Sequence, residues 1–220
     1  MDKNILITGS TRGIGKAIYD ELLKTGSNID SPRRQELDLE CLDSIKKYNN
    51  KFKSYDIIVN CAGINITSPF IDFNHAVWNR MSLVNLTAPM LLIQNSLPHM
   101  RAKNFGRIIN ITSIFAKVTK PQRALYTATK AALSALTKTI ASEEAQYGIT
   151  ANCVSPGFIN TELTKQNNSA EDIAKITRAI PAQRLGEPEE IANFVRFLTT
   201  TEANYCNGQD FTVDGGFIIQ

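Results

Sequence analysis

Tyr126 and Lys130 are four residues apart in Ala124-Leu-Tyr-Thr-Ala-Thr-Lys-Ala-Ala-Leu133, a stretch that reads as a helix. Residues at that separation lie on one helix face, one turn apart, so a phenol and an ammonium are brought together. A free tyrosine has a pKa of about 10. A nearby cation favours the phenolate and lowers that value. Bringing it to about 7 takes about 4 kcal/mol, at about 1.4 kcal/mol per pKa unit. A tyrosine tuned in this way exchanges a proton with an alcohol or a carbonyl near neutral pH. Tyr and Lys also meet at this spacing by accident, so the pair gains meaning only from the elements that position it.

The first of those elements is at the N-terminus. Lys3-Asn-Ile-Leu-Ile-Thr8 is a short apolar run suited to a buried strand, and Gly9-Ser-Thr-Arg-Gly13-Ile-Gly15 follows it at once. Lys16 to Gly26 then has helical spacing, with Ile18, Leu22 and Leu23 apolar and Gly26 as the stop. Strand, glycine turn and helix make the first half of a βαβ unit. The glycines allow a tight turn and the close approach of a pyrophosphate, and the helix start offers free N–H groups to its oxygens.

Further motifs follow in order. Asn60-Cys61-Ala62-Gly63 comes after the apolar run Tyr55 to Val59. Ser113 ends Arg107-Ile-Ile-Asn-Ile-Thr112. Pro156-Gly157 precedes Thr161, and Gly208-Gln209 and Val213-Asp-Gly-Gly216 lie near the C-terminus. From Thr8 to Gly216 the chain resembles the short-chain dehydrogenase/reductase family, and within it most of all the 3-oxoacyl-[acyl-carrier-protein] reductase group. The resemblance implies an oxidoreductase that reduces a ketone to an alcohol with a nicotinamide dinucleotide. It assigns catalysis to Asn85, Ser113, Tyr126 and Lys130. Tyr126 is then the general acid, Ser113 a hydrogen-bond donor to the substrate oxygen, and Lys130 both a tuner of Tyr126 and a holder of the nicotinamide ribose. Cofactor contacts are expected from Gly9, Ser10, Thr11, Arg12, Gly13, Ile14 and Gly15 in the turn. Asp38 and Leu39 would lie beside the adenine. Asn60, Ala62 and Gly63 belong to the second motif, and Pro156, Gly157, Ile159 and Thr161 follow a later strand, with Tyr126 and Lys130 at the nicotinamide end. Asn85 lies in the apolar helical stretch Trp78 to Met100. Pro89 has no N–H to offer the Asn85 carbonyl, which would leave that oxygen free to hold a water in a proton relay from Lys130.

The expected fold is α/β: a single-domain, three-layer, doubly wound Rossmann fold spanning residues 1–220. One place departs from the usual plan. About a dozen residues separate Gly26 from Leu39, Pro32 among them, whereas a strand–helix–strand segment takes about 30. One helix and one strand should be missing. In the order 3-2-1-4-5-6 the third strand is at the edge, so its loss leaves the middle of the sheet closed. A mostly parallel sheet of about six strands is expected. Arg12, Arg33 and Arg34 suit the 2′-phosphate of NADP, and Asp30 suits the free ribose of NAD. NADP is the preferred expectation, with NAD possible.

Composition sets the outer limits. The chain has 220 residues, 43% of them hydrophobic and 20% charged, with a formal net charge of +3. That is ordinary for a globular domain and too weakly basic to argue for nucleic acid. No apolar run is long enough for a membrane span, and the N-terminus leads directly into a strand, so a cytoplasmic protein is expected. Cys41, Cys61, Cys153 and Cys206 lack metal-ligand spacing, and His75 and His99 are the only histidines, so no metal site is expected. No G-x-S-x-G surrounds Ser113, and neither histidine is near a serine motif, which argues against a hydrolase.

The substrate is less specified. Phe158 to Arg184 should cover much of the pocket, with a short helix opening near Asn160-Thr161-Glu162-Leu163 and Ser169 to Arg178 as a lid or a surface helix. An acyl carrier protein is acidic and needs a basic dock, for which Arg101, Lys103 and Arg107 are candidates. The positions resembling the family's docking arginines are here Asn104 and Tyr147. A small ketone or a sugar-derived carbonyl stays open as the substrate, and so does a non-catalytic dinucleotide sensor. The apolar faces of Met81 to Leu97 and Ala131 to Ile140 are candidates for the interface of a homotetramer or homodimer.

Overall fold

A computed structural model describes residues 3–51 and 54–219. Six strands appear among them: β1 (Asn4–Thr8), β2 (Asn28–Asp30), β3 (Ile57–Asn60), β4 (Gly106–Ile111), β5 (Ile149–Pro156) and β6 (Asp210–Val213). They form one sheet in the order β2-β1-β3-β4-β5-β6, every pair parallel. Strands β3, β4 and β5 are buried along their whole length, as expected of central parallel strands covered on both faces.

Alternation within the strands divides the core in two. Ile5, Ile7, Ile57 and Val59 face α1 (Gly13–Leu23) and α8 (Pro188–Thr199), meeting Ile18, Leu22, Ile191 and Val195. Leu6, Ile58 and Ile108 face the other way, toward Ile45 and Tyr48 of α2 (Leu42–Lys51), Leu92 and Ile93 of α4 (Ala88–Lys103), and Ile140 of α5 (Ala124–Glu144). The result is three layers, helix on sheet on helix.

The shortened edge is present as expected. After β2 the chain makes turns through residues 31–41 and enters α2, with neither a helix nor a strand between them. Six strands result, and the three-residue β2 becomes the edge.

The stretch Trp78 to Met100 is not one uninterrupted α-helix. α3 (His75–Ser82) passes into a π turn at Leu83–Thr87, and α4 follows. Pro89 supplies the cause, since it cannot donate to the preceding turn and the ladder is rebuilt with one extra residue. Ala88 N–H accordingly donates to the Leu83 carbonyl. Two short helices follow β5: α6 (Glu162–Asn167), started by Thr161, and α7 (Ala170–Ala179), started by a reciprocal capping box of Ser169 and Asp172.

Candidate active site

A cleft of about 400 Å³ opens at the carboxyl ends of β1, β3, β4 and β5, where open α/β sheets place their ligands. Its first wall is the glycine turn. Gly9 has φ of +74°, a left-handed conformation that side chains disfavour, and a methyl there would meet Ala62 Cα at 2.7 Å. At Gly15 a methyl would run into the Gly9 carbonyl. Thr8 Oγ1 accepts hydrogen bonds from the N–H groups of Cys61 and Ala62, both at 3.2 Å, and so ties the turn to the second motif. The start of α1 has no side-chain cap and no acidic residue in its first turn. Uncapped N–H groups in a cradle with no room for side chains fit a pyrophosphate. Asn65 Oδ1 also borders the cleft, buried and without a partner among the described residues.

The second wall carries the reactive groups. Ser113 follows β4 and is nearly buried, and its Oγ accepts from Phe115 N–H at 3.2 Å. Tyr126 opens α5 and lines the cleft together with Ser113. Burial raises the Tyr126 pKa, opposed by the Ser113 hydrogen bond and by the charge of Arg123. Lys130, 3% exposed, is one turn along the buried stripe that runs from Lys130 through Leu133, Thr137 and Ile140 to Glu144. Its Nζ donates to the Ile111 carbonyl at 2.8 Å and is 5.8 Å from the Tyr126 ring centroid. Burial pulls the Lys130 pKa down to about 8.

Asn85 is fully buried behind this wall, in the π turn. Its amide closes a two-way clamp on Ile64: Oδ1 accepts from Ile64 N–H and Nδ2 donates to Ile64 O, each at 2.9 Å. Nδ2 also donates to Thr129 Oγ1 at 3.1 Å. A methyl on Gly63 would touch both Asn85 Oδ1 and Lys130 Nζ at 3.4 Å, so the glycine is what lets the two approach.

Of the predicted residues, Gly9, Thr11, Arg12, Gly13, Ile14, Gly15, Ala62, Gly63, Ser113, Tyr126, Lys130, Pro156, Gly157, Ile159 and Thr161 line the cleft. Five do not. Ser10 is buried against Ser31. Asn60 donates through Nδ2 to Asn110 Oδ1 at 2.8 Å, inside the sheet. Asp38 accepts from Glu40 N–H at 2.9 Å and is 3.5 Å from Arg34, while Leu39 packs on the α2 side of the core. Asn85 acts from behind.

Lys130 directs its ammonium at the Ile111 carbonyl, with Nζ 5.8 Å from the Tyr126 ring centroid, and the charge of Arg123 also acts on the phenol. Nothing in the sequence singled out Arg123. Its only signal was a basic residue three positions before Tyr126, hence on the same helix end. The basic dock from Arg101, Lys103 and Arg107 does not form. Arg107 is buried, with hydrogen bonds to the carbonyls of Gly106, Gly148 and Thr200. Arg101 is paired with Glu144 and Lys103 with the buried Asp56. All three sit near the start of β4, at the end of the sheet away from the cleft. Asp30 is not presented as a free ribose ligand: Oδ2 accepts from Tyr48 at 2.7 Å and also from Tyr55.

A glycine cradle at β1 and a Ser–Tyr–Lys wall at β4 and α5 define a dinucleotide-dependent oxidoreductase site. The chain belongs to the short-chain dehydrogenase/reductase family, oxidoreductases of CH–OH and C=O groups. The sequence model of its enoyl-(acyl carrier protein) reductase branch matches residues 36–218. A 3-oxoacyl-[acyl-carrier-protein] reductase from Vibrio cholerae is 35% identical, with 99% of this chain and 98% of that protein covered. That relative carries at least 19 residues that this chain lacks. Among solved structures, a 4-hydroxyisoleucine dehydrogenase complexed with NADH superposes with a TM-score of 0.94 at 27% identity, covering 100% of both chains. A gluconate 5-dehydrogenase from Burkholderia cenocepacia, in complex with NADP and tartrate, gives 0.90 at 29%, covering 100% of this chain and 97% of that one.

Proposed function

We propose that this protein is an NAD(P)H-dependent ketone reductase of the 3-oxoacyl reductase type. The observation that carries the proposal is the meeting of Ser113, Tyr126 and buried Lys130 on one wall of the cleft that the glycine turn opens. When bound, the dinucleotide supplies the hydride. The Ser113 hydroxyl orients the substrate carbonyl and stabilises charge on its oxygen. Tyr126 donates the proton to that oxygen in reduction and accepts it in oxidation. Lys130 holds the nicotinamide ribose. Asn85 fixes Ile64 and the adjoining Gly63 backbone, and its carbonyl in the π turn holds the water that reconnects Lys130 with solvent. The glycine turn, Ala62 and Gly63, and Pro156 to Thr161 hold the cofactor, with Asn60 bracing the second motif from inside the sheet and the Asp38–Leu39 segment toward the adenine.

NADP is the favoured cofactor. Asp30 is engaged by two phenols, whereas Arg33 makes no side-chain hydrogen bond or ion pair among the described residues, and the pair between Arg12 and Glu162 is exposed. A ribose phosphate would find basic partners here and no competing carboxylate at Asp30. The protein is taken to act in the cytoplasm as one domain, consistent with the lack of any described helix long and apolar enough to cross a membrane. Exposed Phe70 and Ile71 support assembly into a homodimer or homotetramer.

The test follows NADPH and NADH oxidation with 3-oxoacyl thioesters, with and without carrier protein, and with simple ketones. Tyr126→Phe should lower kcat by about 10²-fold or more. Equal, negligible turnover by wild type and variant across the panel would favour a dinucleotide sensor.

A further inference from the structure

Arg123 is 5% exposed and lines the cleft beside Tyr126. Its Nε is buried with no hydrogen-bond partner, and its guanidinium forms no hydrogen bond or ion pair with any described residue. What it does have is an aromatic neighbour: Cζ is 5.5 Å from the centre of the Phe115 ring. A guanidinium stays charged in proteins, and removing an unpaired charge from water costs several kcal/mol. Compare Arg107, equally buried, which is satisfied by three backbone carbonyls and Asn204. Folding can bury an arginine here and satisfy it. At position 123 it leaves the five-donor fork open toward the cleft.

The groups around Arg123 do not neutralise it. Phe115 packs edge-on against Tyr126, with centroids 6.3 Å apart, and against Phe158 at 6.2 Å. Lys120 Nζ is 6.0 Å from the Phe158 ring and adds a second positive charge, with Asp172 of α7 the acidic group nearest to that lysine in effect. Glu162, the acidic residue on the cleft wall, is turned to Arg12 at the cofactor end. Two cations thus approach a pair of aromatic rings beside Tyr126.

We propose that Arg123 is a specificity-determining residue, and that the carbonyl substrate of this site carries a carboxylate a few bonds from the reacting carbon, held by the Arg123 guanidinium against the Phe115 ring. A planar carboxylate matches the fork of one guanidinium, and its single negative charge balances the single buried positive one. The assignment rests on the ketone-reductase reading and narrows it: the preferred substrate is a short oxo acid, and a neutral ketone or an uncharged ester of the same skeleton is second best.

Turnover and binding test this separately. With NADPH, kcat/KM is measured for 3-oxobutanoate and for its methyl ester, in wild type, Arg123→Lys and Arg123→Gln. The acid should be preferred by wild type at least about 100-fold, since sites built to bond a polar group discriminate against analogues that lack it by about 10⁴-fold or more. The acid-to-ester ratio should fall at least tenfold in Arg123→Gln, with Arg123→Lys between. In parallel, calorimetry follows succinate, dimethyl succinate and inorganic phosphate binding to the NADPH complex. Succinate should bind to wild type and at least tenfold more weakly to Arg123→Gln, and dimethyl succinate should not bind. An acid-to-ester ratio that is the same in all three proteins, or succinate binding indifferent to Arg123, overturns the proposal. Phosphate bound through Arg123 more tightly than succinate overturns the carboxylate assignment. If succinate binds through Arg123 while no ketone is reduced, the reductase reading falls and the anion site stands. If neutral ketones are reduced and succinate does not bind, the reverse holds.

Discussion

Lys130→Met separates what the buried lysine does for catalysis from what it does to stability. The side chain is 3% exposed, and burial holds its pKa at about 8 against an ordinary 10.5. Keeping the ammonium charged in the folded state therefore costs about 3 kcal/mol, at about 1.4 kcal/mol per pKa unit. The hydrogen bond to the Ile111 carbonyl offsets part of that, and losing it leaves a buried acceptor, a penalty of about 1–3 kcal/mol. Methionine fills similar volume without charge. At pH 7 the variant should then be as stable as the wild type or more stable by up to about 2 kcal/mol, while ketone reduction falls about 100-fold or more. The pH dependence carries the sharper test. Between pH 8 and 10.5 the unfolded lysine keeps its proton and the folded one releases it, so wild-type stability rises with pH through that window. Below pH 8 both states are protonated and the full penalty is present. The variant lacks this contribution, so its advantage at pH 7 should shrink and reverse by about pH 10. Urea unfolding of the cofactor-free protein at several pH values measures the difference, and other groups that titrate in both proteins cancel. A variant more than about 2 kcal/mol less stable at pH 7, or a difference flat from pH 8 to 10, would refute the assignment of Lys130 as a strained, desolvated cation.

Two further outcomes are expected. Gly15→Ala places a methyl against the Gly9 carbonyl, so the turn must open; NADPH binding, followed by fluorescence, should weaken at least about tenfold because backbone approach to the pyrophosphate is lost, and an unchanged Kd would contradict that placement. Arg33→Ala should raise the KM for NADPH about tenfold and leave that for NADH alone; an equal change with both cofactors would remove Arg33 from the phosphate site.

Local chemistry decided how much could be read from the chain. The glycine turn, the strand-ending Ser113 and the i,i+4 relation of Tyr126 and Lys130 are fixed by sequence neighbours and helical geometry, so they were visible at once. The missing strand–helix unit was visible too, because chain length between Gly26 and Leu39 is a hard limit. What failed depended on long-range packing. Nothing near Arg107 in sequence says that its guanidinium turns inward to carbonyls as far away as Thr200. The direction of the Lys130 ammonium is set by Ile111, from a different element. Arg123 escaped notice for the same reason: a charged residue before a helix looks solvated until Phe115 and the cleft are folded around it.

The trimmed edge shows how one unit can be lost without exposing the sheet to unwanted pairing. Removal of the outer strand leaves β2 with an unpaired flank, and a flat, long strand there would template association. Here β2 is three residues long, and its far end is locked from both sides. Asp30 accepts from Tyr48 of α2 and from Tyr55 just before β3, and the two hydroxyls also meet at 2.9 Å. Burial raises both tyrosine pKa values, so the phenols remain neutral donors. One residue on, Ser31 meets Ser10 in the glycine turn. The hydrogen bonds that secure the new edge and the one that reaches the glycine turn thus come from adjacent residues, Asp30 and Ser31. The edge bonds engage Oδ2 of Asp30, the carboxylate that the sequence offers to a ribose.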